Sequence, residues 1–233
     1  MSDFSAVVTD FSAGVVPYPY RHMRLLLIRH GQTPSNVSGA LDTAFPGAGL
    51  TELGLSQAAA VPDALAGERI AGLYASRLVR TQLTAQPLAD RLGLPVVVQE
   101  GFEEINAGHL EMATDKESVT AYLEALADWI AGTLETPVPG GEAGHEFLAR
   151  FDAAVQAVVK QHEPEDTVAI VSHGAAIRMW TGLRTAQSPA FGDDNRIRNT
   201  GLAVVEGSPD EGWTTISWNN DPLGGAHLIG EGF

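Results

Sequence analysis

Two uninterrupted aliphatic runs in the chain are followed in the same way, by one polar residue and then a histidine and a glycine. The runs cover residues 25–28 and 168–171, and the histidines are His30 and His173. Continuous aliphatic residues are typical of strands in a parallel sheet that is covered on both faces. Because ligands of such sheets bind at the carboxyl ends of the strands, we expect the two imidazole rings to face one crevice.

Strand-like and helix-like segments alternate from Arg24 onward without a linker. Short runs rich in branched aliphatic and aromatic residues predict further strands at 70–75, 96–98, 202–206 and 213–218. The last two should form an antiparallel pair around a turn at 207–209. Alternation of this kind predicts a single α/β domain, a three-layer α/β/α sandwich around a mainly parallel sheet. We assign residues 23–233 to this domain and residues 1–22, which show no clear periodicity, to an N-terminal extension.

Capping residues and apolar stripes predict the helices. Thr51 should cap a helix that Pro62 kinks or ends, and Ser76 should cap a helix that runs to Leu92 and stops at Gly93. A last helix is expected at about 175–183. Two more helices carry apolar stripes, one made of Val119, Tyr122, Leu123, Leu126 and Ile130, the other of Phe147, Leu148, Phe151, Val155, Val158 and Val159.

The acidic composition limits the partners that the chain can bind. The formal net charge is −15, from 29 acidic and 14 basic side chains. Such a surface should repel nucleic acid and anionic membranes. The apolar runs are far shorter than the roughly 18 residues that span a bilayer, and the first twenty residues lack the pattern of a secretory signal. Cysteine is absent, which excludes disulfides. We expect a cytoplasmic protein, and the sequence does not indicate its oligomeric state.

The string Arg29-His30-Gly31 is suited to chemistry on an anionic group. Histidine can act as a nucleophile, and its unperturbed pKa of about 6.5 leaves part of it unprotonated near neutral pH. A neighbouring arginine would neutralise a phosphoryl group, whose transfer depends on positioning and electrostatic stabilisation. Taken alone, the string is equally consistent with a structural histidine that forms hydrogen bonds within a loop. Both interpretations remain open on these residues alone.

The wider sequence resembles a known family. Leu25 to Thr33 is similar to the signature of the histidine phosphatase superfamily, the phosphoglycerate-mutase-like group, in which an aliphatic strand ends in Arg-His-Gly, then Glu or Gln, then Thr or Ser. Similar segments follow in the family's order at 50–58, 74–85, 102–108, 172–174, 218–221 and 227–228. The resemblance spans roughly residues 24–228 and implies a phosphoglycerate-mutase-like fold.

The resemblance assigns roles in a phosphate pocket. His30 matches the residue that attacks phosphorus and carries the phosphoryl group, and His173 matches the second histidine, which contacts phosphate oxygens. Arg29 and Arg80 match the pocket arginines, whose planar guanidinium groups can bind a tetrahedral anion at several oxygens. Asn36 matches a residue that commonly reaches the phosphate from the first loop. Taken alone, Arg80 would fit a solvated helix arginine.

The resemblance also implies a proton donor. Glu104 matches the family's acid–base carboxylate, which protonates the leaving oxygen and can later activate water. Its neighbour Glu103 is the obvious rival, but the spacing of Phe102, Glu104 and Ile105 fits the family's Leu-x-Glu-Ile pattern. The helix after Gly174 should add backbone N–H groups to the phosphate site, because a helix N-terminus favours anions.

Three segments depart from the family pattern or match it loosely. Arg77 stands where proline is usual and adds a cation that either borders the pocket or faces water. The segment 108–112 lacks the tryptophan and the final glycine that often follow the acid, which leaves the substrate open. Asp42 and Thr43 lie where the first loop should approach the substrate, and their alignment is open by one residue.

Three functions fit this pattern. The leading prediction is a phosphatase that hydrolyses a small-molecule phosphate monoester through a phosphohistidine. The alternatives are a cofactor-dependent phosphoglycerate mutase and a non-catalytic phosphoester-binding protein. Mutases usually carry a longer stretch between the positions of Glu104 and His173 and tend to follow the second histidine with Gly-Asn, where this chain has Gly174-Ala175. No cofactor is implied, and no histidine spacing typical of a metal site occurs.

Overall fold

The computed structural model describes residues 22–190 and 195–230. Seven strands in this part form one sheet: β1 Met23–Arg29, β2 Ile70–Ala75, β3 Val96–Val98, β4 Thr167–Ser172, β5 Thr185–Ala186, β6 Leu202–Ser208 and β7 Gly212–Asn219. Their order across the sheet is β3-β2-β4-β1-β6-β7-β5. Strands β1 to β4 are mutually parallel, β6 is antiparallel to β1 and β7, and β5 is parallel to β7. The predicted mainly parallel sheet is confirmed.

Helices connect these strands close to the limits that the sequence predicts. They are α1 Pro34–Ser38, α2 Glu52–Ala64, α3 Val79–Leu92, α4 Lys116–Ile130, α5 Gly144–Val159 and α6 Gly174–Arg184. Thr51 caps α2, since its side chain accepts a hydrogen bond from the N–H of Gly54. Gly93 ends α3 in the left-handed region, with φ 66°, where glycine is unstrained. Both predicted helix ends are confirmed.

The aliphatic strands are buried on both faces. Successive residues of β1 point to opposite sides, so Leu25 and Leu27 join a core with α4, α5 and α6, while Leu26 and Ile28 join a second core with α2 and α3. Each of these four side chains is fully buried, which stabilises the fold by about 2 kcal/mol per side chain. Helices therefore cover both faces of the sheet, and the three-layer sandwich is confirmed.

Two predicted helix signals act differently in the structure. The helix α2 continues for two residues past Pro62, so the proline lies within its last turn. The prediction that Ser76 caps α3 is wrong, because that helix begins at Val79 and its N-cap residue is Leu78, which forms no side-chain capping bond. The hydroxyl of Ser76 is instead engaged by His173, 2.8 Å from its Nε2.

The register of β1 and β4 brings the two histidines of the sequence pattern together. Arg29 is paired with Ser172 across the parallel ladder, and the N–H of His30 donates to the carbonyl of Ser172 at 3.0 Å. His30 and His173 are therefore the first residues after two adjacent strands. Both side chains leave the sheet at its carboxyl edge.

Some predictions concern parts of the chain beyond this description. Residues 1–21, nearly all of the predicted extension, lie outside the described residues, as do 191–194 and 231–233. The division into an extension and one domain therefore stays a prediction. Over residues 22–190 and 195–230, no helix has both the length and the apolar composition needed to cross a membrane.

Candidate active site

The rings of His30 and His173 meet at the carboxyl edge of the sheet. Their centroids lie 5.2 Å apart, with the ring planes inclined by 60°. Both side chains are buried. A cavity of about 450 Å³ opens beside His30, which is within the usual size range of small-molecule sites. The two imidazoles therefore meet as predicted, although His30 belongs to the lining of the cavity and the fully buried His173 does not.

His30 lines this cavity as a neutral imidazole. Its Nδ1 lies 2.8 Å from the carbonyl oxygen of Gly31. Because a carbonyl can only accept, Nδ1 carries the proton and Nε2 keeps its lone pair. Burial, and then the positive charges of Arg80 and Arg29, hold the pKa of His30 well below its ordinary value, against the opposing effect of the Gly31 hydrogen bond. The ring therefore has the protonation state that a nucleophile requires.

The Nε2 atom of His173 forms a hydrogen bond with the hydroxyl of Ser76, which in turn contacts the hydroxyl of Thr81. The two distances are 2.8 Å from Nε2 to the Oγ of Ser76 and 3.1 Å from that Oγ to the Oγ1 of Thr81. Burial, followed by the charge of Arg80, holds the pKa of His173 well below its ordinary value. The Nδ1 of His173 is buried and has no hydrogen-bond partner within the described residues. Such an atom is suited to contact an oxygen of a phosphoryl group.

Two buried arginines that line the cavity stand close to His30. The Nη1 of Arg29 donates to the carbonyl of Ile197 at 2.8 Å, and burial lowers the pKa of Arg29 to about 10. The Nη2 of Arg80 donates to the backbone carbonyl of Asp42 at 2.7 Å. In the described ranges, the Nε and Nη1 atoms of Arg80 are buried and form no hydrogen bond. A tetrahedral anion would supply the acceptors that Arg80 lacks.

Asn36 connects the first loop to His30 through a residue that the sequence analysis missed. The Oδ1 of Asn36 accepts from the N–H of Thr33 at 3.1 Å and from the Nδ2 of Asn199 at 3.0 Å. The same Nδ2 also donates to the carbonyl of His30 at 3.0 Å. With its oxygen occupied, Asn36 keeps its NH₂ group as the end that can donate to a ligand. The sequence gives no signal for Asn199, since a single asparagine far from the motifs has no characteristic pattern.

Glu104 lines the cavity and lies at the N-terminus of α6. Its carboxylate accepts from the backbone N–H groups of Ala176 at 2.8 Å and Ala175 at 3.1 Å. A further N–H, from Ile105, donates to it at 2.9 Å. The Nη2 of Arg150, on α5, donates to the backbone carbonyl of Glu104 at 3.0 Å and anchors this loop. Arg150 is another positioning residue that the sequence analysis missed.

The contacts of Glu104 change the role predicted for Gly174. The N–H groups of Ala175 and Ala176, in the first turn of α6, bind the carboxylate of Glu104, so the predicted anion site at this helix end holds a protein side chain. Gly174 itself lines the cavity next to Arg29. A Cβ at this position would lie 3.1 Å from the Nε of Arg29, so the glycine lets the guanidinium pack closely.

The rival carboxylate Glu103 has a structural role. Its Oε1 accepts from the Nε of Arg77 at 2.8 Å, and its Oε2 accepts from the N–H of Gly101 at 2.7 Å. It does not belong to the lining of the cavity beside His30. Arg77, the cation in place of the usual proline, binds this acid and lies 3.2 Å from Glu100. Glu104 is therefore the carboxylate that can reach a ligand.

The first loop brings two more predicted residues to the cavity. Asp42 and Thr43 both line it. The carboxylate of Asp42 lies 3.6 Å from the Nη1 of Arg80 and accepts from the hydroxyl of Ser35 at 2.7 Å. The N–H of Thr43 donates to the carboxylate of Glu111 at 2.9 Å. These contacts fix the conformation of the first loop, and the loop in turn holds the guanidinium group of Arg80.

One family match extends over nearly all of the described fold. The model of the histidine phosphatase superfamily (branch 1) matches residues 25–221. The chain belongs to this superfamily. The recognition made from the Arg-His-Gly signature and the segments that follow it is confirmed.

Relatives of this histidine phosphatase superfamily member match over most of its length. It is 36% identical over 216 residues to the PE-PGRS family protein PE_PGRS11 of Mycobacterium tuberculosis, a match that covers 86% of the chain and 37% of that protein. It is 30% identical over 212 residues to the metal-independent phosphoserine phosphatase of Arabidopsis thaliana, covering 90% of the chain and 84% of the relative. Among solved structures, a mycobacterial glucosyl-3-phosphoglycerate phosphatase has a TM-score of 0.70 at 28% identity, covering 85% and 99% of the two chains.

The arrangement in this superfamily member combines three chemical capacities. On one cavity, His30 offers a neutral nitrogen, Arg29 and Arg80 offer donors for an anion, and Glu104 offers a carboxyl group. Behind His30, the buried Nδ1 of His173 has no hydrogen-bond partner within the described residues. Among the described residues, no three His, Asp or Glu side chains are grouped as a metal ion would require. Chemistry without a metal stays a prediction that solution measurements must test.

Proposed function

We propose that this protein hydrolyses small-molecule phosphate monoesters through a phosphohistidine formed on His30. One observation carries the proposal: the Nδ1 proton of His30 is bound by the Gly31 carbonyl, which leaves Nε2 as a neutral nucleophile beside Arg29 and Arg80. The relatives named as phosphatases support hydrolysis as the overall reaction.

In the first step, the Nε2 lone pair of His30 attacks phosphorus. A bond forms between Nε2 and phosphorus while the bond from phosphorus to the ester oxygen breaks, and Glu104 in its acid form gives that oxygen a proton. Arg80, Arg29 and His173 bind the phosphoryl oxygens, so charge is neutralised where it develops. The products are the free alcohol and a phosphohistidine.

In the second step, water attacks the phosphohistidine. Glu104, now a carboxylate, accepts a proton from the water as its oxygen bonds to phosphorus, and the electron pair of the nitrogen–phosphorus bond returns to Nε2. Inorganic phosphate leaves, and His30 and Glu104 regain their starting states. The same carboxyl group therefore serves as acid in one half-reaction and as base in the other.

The two alternatives differ from this proposal at identifiable steps. A phosphoglycerate mutase would form the same phosphohistidine but return the phosphoryl group to a second hydroxyl instead of to water. A phosphoester-binding protein would hold phosphate without breaking a bond. The short segment between Glu104 and His173, and alanine after Gly174, favour hydrolysis over the mutase reaction.

The decisive experiment measures phosphate release from 4-nitrophenyl phosphate near pH 6. His30→Ala should lower the rate by about 10⁴-fold or more, because the nucleophile is gone. His145→Ala, which removes an exposed histidine outside the cavity, should leave the rate unchanged. Rapid quenching of the wild type with labelled ester should trap an adduct that is labile in acid and stable in alkali.

Other results would reject the proposal. An acid-stable adduct, or an active His30→Ala variant, would exclude this nucleophile. Interconversion of 2- and 3-phosphoglycerate faster than phosphate release would favour the mutase. Tight binding of inorganic phosphate by a wild type that releases none from esters would favour the binding protein. Loss of activity in a chelator would overturn the prediction that no metal takes part.

A further inference from the structure

The cavity extends from the phosphate-binding residues to one face of α4. Val119, Leu123 and Ala127 line it, and we call these three residues the α4 wall. Residues four apart lie on the same face of a helix. A second apolar face of α4, with Leu126 and Trp129, is fully buried in the core. The helix therefore carries two apolar faces, and the protein core covers the second of them.

The α4 wall is apolar surface beside the proposed reaction centre. Leu123 is 38% exposed, although it is a leucine in the middle of a helix. Leu41 and Ile197 add further apolar side chains to the lining of the cavity. Covering such surface gains about 25 cal/mol for each Å² removed from water, so an apolar ligand would bind here in preference to a strongly hydrated one.

The charged groups of the cavity are unevenly placed. Arg178 and Arg196 line it, and both are near enough to Arg29 for their charges to contribute to lowering its pKa. Next to its apolar wall, α4 contributes Thr120 and the acid Glu124, and none of the described α4 residues in the lining is a cation. A carboxylate that reached α4 would meet apolar surface and a like charge.

We infer that the natural substrate is a phosphate monoester of an apolar alcohol, whose alkyl or aryl group lies against the α4 wall. This inference rests on the proposed function, because it takes the phosphoryl group to lie at His30. The cavity then has one end that binds the anion and one end that excludes water from a hydrocarbon group. Sugar phosphates and carboxylate-bearing phosphoesters would leave the apolar end poorly matched.

Alkylphosphonates test this inference without requiring turnover, because their carbon–phosphorus bond replaces the ester bond that would be cleaved. Calorimetry on the wild type should show affinity rising from methylphosphonate to hexylphosphonate, by about threefold to fourfold for each added methylene. Equal affinity along the series would overturn the inference, as would tighter binding of phosphoserine or 3-phosphoglycerate than of hexylphosphonate.

A matched pair of variants locates the apolar site. Leu123→Ser should lower the affinity for hexylphosphonate by about tenfold and leave the affinity for methylphosphonate unchanged. Ile130→Ser is the control, because Ile130 lies on the same helix at 36% exposure and does not belong to the lining. It should bind both phosphonates as the wild type does. Equal losses of hexylphosphonate affinity in the two variants would overturn the placement of the alkyl group against α4. The chain-length series is measured on the wild type and tests the inference even if neither variant folds.

Binding and turnover separate this inference from the function on which it rests. Chain-length-dependent phosphonate binding in a protein that releases no phosphate from any ester would support the apolar site and reject hydrolysis. Rapid hydrolysis with a preference for glycerol phosphate or phosphoserine over hexyl phosphate would retain the phosphatase and reject the apolar substrate.

Discussion

The two ends of the cavity are built in different ways. At the phosphate end, which consists of His30, His173, Arg29 and Arg80, the side chains are buried and lie at or next to the end of a helix or strand. At the α4 wall, the lining residues lie in the middle of a helix and are partly exposed. The first end is fixed by the register of neighbouring strands. The second depends on where one helix packs.

This contrast separates what the chemistry requires from what the substrate requires. Residues at the phosphate end should affect every phosphoester equally, because all of them present the same phosphoryl group. Residues of the α4 wall should affect only esters whose alcohol reaches them. Glu104 lies between these two cases, since its proton goes to the oxygen that joins the phosphoryl group to the alcohol.

After the loss of His30, the largest expected effect belongs to Glu104→Gln, and it should depend on the alcohol. With alkyl phosphates, whose leaving oxygen needs a proton, kcat/KM should fall by about 10²- to 10³-fold. With 4-nitrophenyl phosphate, whose leaving group departs without one, the first step should stay fast while water attack becomes slow. Stopped-flow measurement should then show a burst of about one nitrophenolate per enzyme before slow turnover.

Glu103→Gln is the matched control for that prediction. Glu103 binds Arg77 and the N–H of Gly101 and does not belong to the lining of the cavity, so its variant should stay within about threefold of the wild type with either ester. A large loss in Glu103→Gln together with an active Glu104→Gln would reverse the assignment of the two acids.

A smaller and uniform effect is expected from Ser76→Ala. The Oγ1 of Thr81 lies 2.7 Å from the carbonyl of Leu78 and donates there, so the single proton of the Ser76 hydroxyl goes either to the Oγ1 of Thr81 at 3.1 Å or to the Nε2 of His173 at 2.8 Å. We expect it in the shorter contact, donated to His173. That arrangement holds the proton of His173 on Nδ1, the atom that would contact phosphate. The variant should lower kcat about tenfold for alkyl and aryl esters alike.

The tautomer gives that prediction a readout beyond activity. Nitrogen-15 NMR should find the His173 proton on Nδ1 in the wild type and a mixture of tautomers in Ser76→Ala. Thr181→Val removes another buried hydroxyl, which within the described residues donates to carbonyls of its own helix, and this variant should change neither the spectrum nor kcat. A wild-type proton on Nε2 would contradict the proposed role of Ser76.

The sequence predicted that His30, His173, Arg29 and Arg80 lie together because they belong to contiguous strings, and their binding of phosphate stays a prediction. The aliphatic runs specify β1 and β4, and the histidine that follows each strand takes its position once the two strands pair. Ser76 and Asn199 escaped prediction in their structural roles, since Ser and Asn suit caps, turns and buried contacts equally. Their partners His173 and His30 are distant in the sequence and become neighbours only through the fold.

The apolar stripe of α4 shows the limit of periodicity. The sequence places Val119, Tyr122, Leu123, Leu126 and Ile130 on one stripe, as if all faced the core. In the structure Tyr122 and Leu126 are buried, whereas Leu123 is exposed to the cavity. A period of 3.6 residues identifies apolar positions on a helix but does not distinguish a core from a binding cavity. The apolar substrate inferred above therefore could not be predicted from the sequence, because it depends on how α4 packs.

The smallest expected effect is a pH dependence of stability confined to the phosphate end. Burial and the two arginines hold the pKa values of His30 and His173 below 6.5, so both rings stay neutral in the native state while they take up protons in the unfolded state. The free energy of unfolding should therefore fall as pH drops through about 6.5, with a slope that approaches about 1.4 kcal/mol per pH unit for each histidine until its native pKa is reached. Urea unfolding between pH 7.5 and 5.5 measures this slope. His30→Asn should reduce this slope by up to one proton's contribution, whereas Leu123→Ser should keep the wild-type slope. An unchanged slope in His30→Asn would contradict the lowered pKa of its ring.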